Sequence, residues 1–169
     1  MPTTYTFIAS TTADGTTSSV SFTSIPQTYT DLVVRLTARN TGTNVDNSLA
    51  VRPNGSTTND SNTRLSGNGS TASSGRSTAD FDAGRITSGN ATADTFGSVE
   101  MYIPNYTAAT NKPMSAFGVA ETNATAVEMR INALLWSNTS AITSLNITTD
   151  GVGNFASGSS FFLYGIKNS

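Results

Sequence analysis

The chain contains no histidine and no cysteine. Without histidine, neither a Ser-His-Asp nor a Cys-His nucleophile can be assembled, and zinc hydrolysis loses its usual ligands. Without cysteine there are no disulfides and no thiolate metal sites. Charge is scarce as well: nine Lys and Arg stand against eleven Asp and Glu, giving a net charge of −2. No basic patch forms, so no nucleic-acid partner is expected. No apolar run approaches the ~20 residues of a membrane span, so no membrane partner is expected. Met1-Pro2-Thr3-Thr4 lacks the basic and apolar regions of a signal peptide, so synthesis in a cytoplasm is expected, with no export by the usual route. Neither GxxxxGK[ST] nor GxGxxG occurs, and Gly67-Asn68-Gly69 reads as a loop without the helix that a phosphate cradle needs.

Hydrophobic residues make up only 36% of the 169, and small polar residues fill the difference: Ser and Thr together number 52. Threonine is β-branched and suits a pleated surface, so it can coat a sheet without charge. With a low net charge and clustered apolar residues, the chain reads as folded rather than disordered, and its length suits a single domain spanning 1–169. In such an Asn- and Thr-rich chain, sequons such as those at Asn105 and Asn146 are expected by chance.

Period-two alternation is the main pattern. It is clear at Val20 and Phe22, at Leu32, Val34 and Leu36, at Val99, Met101 and Ile103, at Leu145 and Ile147, and at Phe162, Tyr164 and Ile166. Val127, Met129, Ile131, Ala133 and Leu135 alternate with Glu128, Arg130, Asn132, Leu134 and Trp136. Weaker strands are expected at 4–9, 48–52, 62–66, 79–86 and 113–121, for nine to eleven in all. Asp14-Gly15, Asn54-Gly55, Asn68-Gly69, Gly89-Asn90 and Asp150-Gly151 are turn dipeptides. Residues 53–78 read as a long polar loop region around one short strand. These features predict an all-β, single-domain antiparallel β-sandwich, most simply a jelly roll. Phe22, Leu32, Val34, Leu36, Met101, Ile103, Met129, Ile131 and Phe162 are expected on one inner face.

Paired carboxylates are the one catalytic design the composition allows. The candidates are Asp80, Asp82, Glu100, Glu121 and Glu128; a glycosidase would also need aromatic platforms, and with one tryptophan, Trp136, solvated strand or loop positions are the better account of all five. Asp80-Phe81-Asp82 could aim two oxygens at a calcium ion; the plain alternative is an outward-facing pair bonded to Arg76 or Arg85. The scattered Arg35, Arg39, Arg52, Arg64, Arg76 and Arg85 read as surface or interface contacts. Tyr102 and Tyr106 flank Ile103-Pro104-Asn105, where an aromatic can stack on a sugar, fill a subunit interface or cap the core. No catalytic, cofactor or metal residue is assigned.

Several ordered stretches carry a resemblance. They are residues 19–35, which include Phe22-Thr23-Ser24-Ile25-Pro26, and 62–69, which include Arg64-Leu65-Ser66-Gly67-Asn68-Gly69. They continue with 96–106, which end in Met101-Tyr102-Ile103-Pro104-Asn105-Tyr106, then Asn111-Lys112-Pro113, 135–143, and the closing Phe162-Leu163-Tyr164-Gly165-Ile166. Together they resemble a family of small virion proteins of tailed bacteriophages, frequent in phages of cyanobacteria and other aquatic bacteria. The resemblance implies a β-sandwich on the phage particle and no catalytic residues. The function expected from it is a capsid decoration, or cement, protein on the exterior of the head. Its partners would be the major capsid protein and further copies of itself, as a dimer or trimer. The alternative is a tail-fibre or receptor-binding module that contacts host surface glycans through Ser/Thr/Asn loops and Tyr102, Tyr106 or Trp136.

Overall fold

The computed structural model describes residues 4–78, 81–123 and 128–167. They form twelve strands and no helix: β1 (Thr6–Thr12), β2 (Ser19–Phe22), β3 (Asp31–Ala38), β4 (Asp46–Pro53), β5 (Asp60–Gly67), β6 (Ala72–Ser77), β7 (Asp82–Thr87), β8 (Gly97–Ile103), β9 (Lys112–Ala120), β10 (Glu128–Trp136), β11 (Leu145–Thr149) and β12 (Ser160–Ile166). Every strand pairing is antiparallel. One sheet has eight strands in the order β1-β12-β3-β8-β9-β10-β5-β6, and the other has four in the order β2-β11-β4-β7. The two sheets pack as a β-sandwich.

The connectivity separates into a frame and two insertions. From β1 to β4 each step crosses from one sheet to the other, as do the steps from β7 to β8 and from β11 to β12. The β5–β6 hairpin is inserted between β4 and β7, and the β9–β10 hairpin between β8 and β11. Both insertions join the larger sheet beyond β8, so β9, β10, β5 and β6 extend it on one side. The stretch 53–78, expected as loops around one strand, is therefore largely the paired strands β5 and β6. Their tight turn closes on Asn68, whose Oδ1 accepts from the backbone N–H groups of Ser70 and Thr71. This side-chain turn chemistry does for β5–β6 what hydrophobic alternation does for the other strands, which is why a pattern search misses β6. After β4, Asn54 and Gly55 both have positive φ (50° and 68°), the geometry of a type I′ turn.

The frame core is conventional. Leu32, Val34 and Leu36 of β3 lie against Met101 and Val99 of β8 and Leu163 and Phe161 of β12 on one inner face, all buried. Leu49, Val51, Leu145, Ile147, Val20 and Phe22 supply the facing layer from the smaller sheet. Phe155 and Phe161 meet edge to face at 4.8 Å. The frame is held together chiefly by this apolar burial, worth ~1.5–3 kcal/mol for each large side chain.

Glycines set how closely the smaller sheet can approach the larger. A Cβ added to Gly118 of β9 would lie 3.1 Å from the Gly84 Cα, and one on Gly97 would lie 2.7 Å from the Ile86 Cα. Backbone thus meets backbone where β7 crosses β8 and β9. That approach brings Asp82, at the start of β7, down onto the inner side of β10.

Two parts of the expected inner face are reversed. In β12 it is Phe161, Leu163 and Gly165 that point inward, while Phe162 is only half-buried on the other side. In β10, Arg130, Asn132, Leu134 and Trp136 are buried, while Met129 and Ile131 remain 50% and 51% exposed. Because side chains alternate strictly, a strand's register decides every position at once. Leu134 and Trp136 hold the β10 register in the core, and Arg130 finds its partner there.

Candidate functional site

The residues that suggested chemistry are spread over the molecule and occupied in structural bonds. Arg130 is 4% exposed and forms an ion pair with Asp82. The same guanidinium donates from Nε and Nη2 to Glu128 at 3.2, 2.9 and 3.0 Å, and Arg85 adds a second cation to Glu128 at 3.2 Å. Asp82 also accepts from the Gly84 N–H at 2.9 Å. Burial raises the Asp82 carboxyl above its ordinary value even with Arg130 beside it. For Glu128 burial pulls the same way, but hydrogen bonds from Arg130 and Ser66 and the charges of Arg130 and Arg85 outweigh it, so its carboxyl is lowered. Two carboxylates clamped on one buried guanidinium form a closed, charge-compensated network. They are tied to that cation instead of facing a substrate.

The other candidates resolve individually. Asp82 points inward to Arg130, not outward to Arg76 or Arg85, and Asp80 lies outside the described residues. Glu121 Oε1 accepts from the N–H groups of Thr122 and Asn123, closing the end of β9. Glu100 lies on the outer face of the larger sheet, 2.6 Å from the Arg35 Nε. Among the described residues no group of three His, Cys, Asp or Glu side chains could hold a metal ion. They also contain no helix long and apolar enough to cross a membrane. The Arg39 guanidinium donates to the carbonyls of Gly89, Ala91, Thr92 and Thr95, pinning the loop before β8.

Of the three aromatics considered for glycan stacking, Tyr106 and Trp136 are buried. Tyr106 caps the core and donates its hydroxyl to the Pro26 carbonyl. Tyr102 is 38% exposed, and its hydroxyl donates to the Asp31 Oδ2 at 2.8 Å. Lys112, part of a motif in the sequence, is fully buried, and its Nζ donates to the carbonyls of Ala108 and Thr110 at 2.6 and 2.5 Å. Burial pulls its ammonium below the usual lysine value.

What the sequence reading missed is the outer face of the larger sheet. One cross-strand row there runs Phe162, Arg35, Glu100, Phe117, Ile131, Leu65, Ser74. A neighbouring row contains Phe7, Tyr164, Val33, Tyr102 and Ser115. Two apolar patches result. The aliphatic one joins Phe117 of β9, Met129 and Ile131 of β10 and Leu65 of β5, all between 45% and 57% exposed. The aromatic one lies over β1 and β12, where Tyr164 makes edge contacts with Tyr5 at 6.2 Å and Phe7 at 6.1 Å and stacks on Phe162 at 6.4 Å. Arg35 covers the Tyr5 ring at 5.0 Å. The Arg35–Glu100 pair and Tyr102 separate the two patches. Shallow surface depressions open around both, one beside Leu65, Met129 and Ile131 and another between Arg35, Glu100, Phe162 and Tyr164. The alternation of residues 127–135 carried this signal: Met129, Ile131, Ala133 and Leu135, on the side opposite Leu134 and Trp136, leave one apolar set facing out, while Val127 lies outside the described residues.

Comparison of the chain with protein-family models, with curated proteins and with solved structures gives no match.

Proposed function

We propose that this chain is a capsid decoration protein of a tailed bacteriophage, binding the exterior of the head shell and bridging neighbouring major capsid protein subunits. The observation that carries the reading is the outer face of the larger sheet, with two separate apolar patches on one surface. Exposed apolar patches of a few hundred Å² are often functional, and two patches let one small module hold two neighbours at once. The polar groups between them favour protein over sugar. Arg35 and Glu100 satisfy each other, and the Tyr102 hydroxyl is engaged by Asp31, so these three side chains are already engaged within the protein. The reading includes a jelly-roll frame. It is supported by the strand orders β1-β12-β3-β8 and β2-β11-β4-β7 and by the repeated crossings between sheets. The fold by itself implies no function; the face does the work in this argument. No catalytic step is assigned.

The test is the copy number of this chain in purified virions against the major capsid protein. A ratio near one to one, or one to a small integer, is expected. A few copies per particle would overturn the head reading and move the protein to the tail, where glycan binding by the exposed loops becomes the next experiment. On the virion, Phe7→Ser and Tyr164→Ser should lower occupancy while leaving the frame folded.

A further inference from the structure

We propose that the aliphatic patch on β9, β10 and β5 is the seat of a second copy of this chain, packed sheet on sheet about a two-fold axis that runs along β10. The inference deepens the reading above, resting on it only in taking the outer face as a protein contact: of the two neighbours, one is then a second copy, and the aromatic patch of each copy is left for a capsid subunit, so that the pair does the bridging.

The amphipathic sense of β10 is inverted over residues 129–132. A guanidinium and an amide, Arg130 and Asn132, are buried, while Met129 and Ile131 stand half exposed. Keeping large aliphatic side chains in water is unfavourable, and hydrophobic burial acts on whichever face is covered. In the isolated chain the outer face is bare; in a face-to-face dimer both faces of β10 are interior. Phe117, Met129, Ile131 and Leu65 together leave on the order of 400 Å² of apolar surface uncovered. That area matches the desolvated centre of a standard interface, which covers ~800 Å² per partner with a polar rim.

The cross-strand register makes the patch self-complementary. Phe117 and Leu65 are the neighbours of Ile131 on its two sides. A two-fold along β10 lays Phe117 of one copy over Leu65 of the other, large against small, and brings Ile131 onto its own counterpart. One strand further out, β8 lies over β6, so Glu100 comes above Ser74, with Arg76 at the next outward position of the same strand. No like charges are placed face to face at either end of the interface, where Glu100, already paired with Arg35, meets a serine. Sheets stacked this way pack within about 30° of aligned.

The absence of cysteine makes the geometry directly testable, because an introduced thiol is the only one in the chain. The full chain is purified and its mass measured by sedimentation equilibrium between micromolar and hundred-micromolar concentrations. A species of twice 17.5 kDa is expected, and Ile131→Glu should raise its dissociation constant by more than tenfold. With a short bis-maleimide that spans the ~10 Å between packed sheets, Ile131→Cys should form a covalent dimer far faster than Ser21→Cys, whose thiol lies on the exposed side of the smaller sheet. Circular dichroism melts keep a misfolded variant from being read as a dissociated one. A wild-type monomer at the highest concentration, a trimer, or equal cross-linking at positions 131 and 21 would each overturn the two-fold. A monomer that loses capsid occupancy on Ile131→Glu would give the patch to the capsid protein and also overturn it. A dimer in solution with few copies on virions would leave this inference standing and remove the decoration reading.

Discussion

The frame strands and the inserted hairpins solve the same problem in opposite ways. In β3 and β8 most apolar residues face the smaller sheet and most polar side chains face out, while β12 buries Phe161 and Leu163 and keeps Phe162 and Tyr164 on its outer side. In β5 and β10 the buried side includes Asp60, Asn62, Ser66, Arg130 and Asn132, and the uncovered side includes Leu65, Met129 and Ile131. The difference follows from what lies beneath. The frame strands are covered by a full apolar layer from β4, β11 and β2. The insertions lie at and beyond the edge of that layer, where β7 presents Asp82 and Arg85. A strand facing a charged edge takes complementary charge inside, and its apolar residues are left to the other side. Hydrophobic burial secures the frame, a compensated ion network secures the insertions, and the insertions are where the molecule exposes the patch of Leu65, Phe117, Met129 and Ile131.

Six substitutions would break or sharpen this contrast. The largest effect is expected in the frame: Phe161→Ala should cost ~3–5 kcal/mol in denaturant titration, since it opens a cavity beside Phe155 and Leu163. Arg130→Met should cost nearly as much, ~3–5 kcal/mol, because Asp82 is then buried without its cation. Adding Asp82→Leu should recover most of that loss, and a double-mutant cycle reads the coupling. If the double variant were no better than the single, the ion network would not be what secures β10.

Glu128→Gln should cost ~1–2 kcal/mol at neutral pH through weakened charge-assisted bonds to Arg130. The pH dependence has a defined sign. A carboxyl held below its ordinary value of 4.5 stabilises the fold above that pH and loses the contribution as pH falls through its folded-state value. The gap in melting temperature between wild type and the Gln variant should therefore close in acid, below pH 4.5. A gap that widened there would contradict the assignment. Least costly is Ile131→Thr, within ~0.5 kcal/mol for the monomer at high dilution. The same change at Val34, on the frame's inner face, should exceed 1 kcal/mol by roughly twofold or more.

How far the fold was legible depended on whether a strand's pattern had one apolar side. Phe22, Leu32, Val34, Leu36, Met101 and Ile103 were assigned to the interior from alternation, and all six are buried. In β10 both sides are partly apolar, and in β12 both are strongly so. Period two then says that a strand is present but not which side faces in. Choosing Met129 and Ile131 over Leu134 and Trp136 counted residues, whereas the register weighs volumes and partners. Strand β6, with Ala72-Ser73-Ser74-Gly75-Arg76-Ser77, has no alternation to find. It is a strand because β5 offers it a hydrogen-bonding edge and Asn68 closes the turn. The candidate site was the least legible part. Its residues come from β9, β10 and β5, and Leu65 meets Ile131 only once the β5–β6 insertion has docked beyond β10.

By itself the amino-acid sequence determined an all-β chain, its turns, the absence of histidine and cysteine chemistry, and the apolar identity of the frame core. These are local properties, written in alternation, turn dipeptides and composition. Tertiary structure alone decided that Arg130 and Asp82 meet inside, that two hairpins widen one sheet, and that Phe117, Met129, Ile131 and Leu65 form one surface. Each of these depends on which strands become neighbours. That choice is made by the summed burial and pairing of the whole sandwich, at sequence separations no local pattern spans.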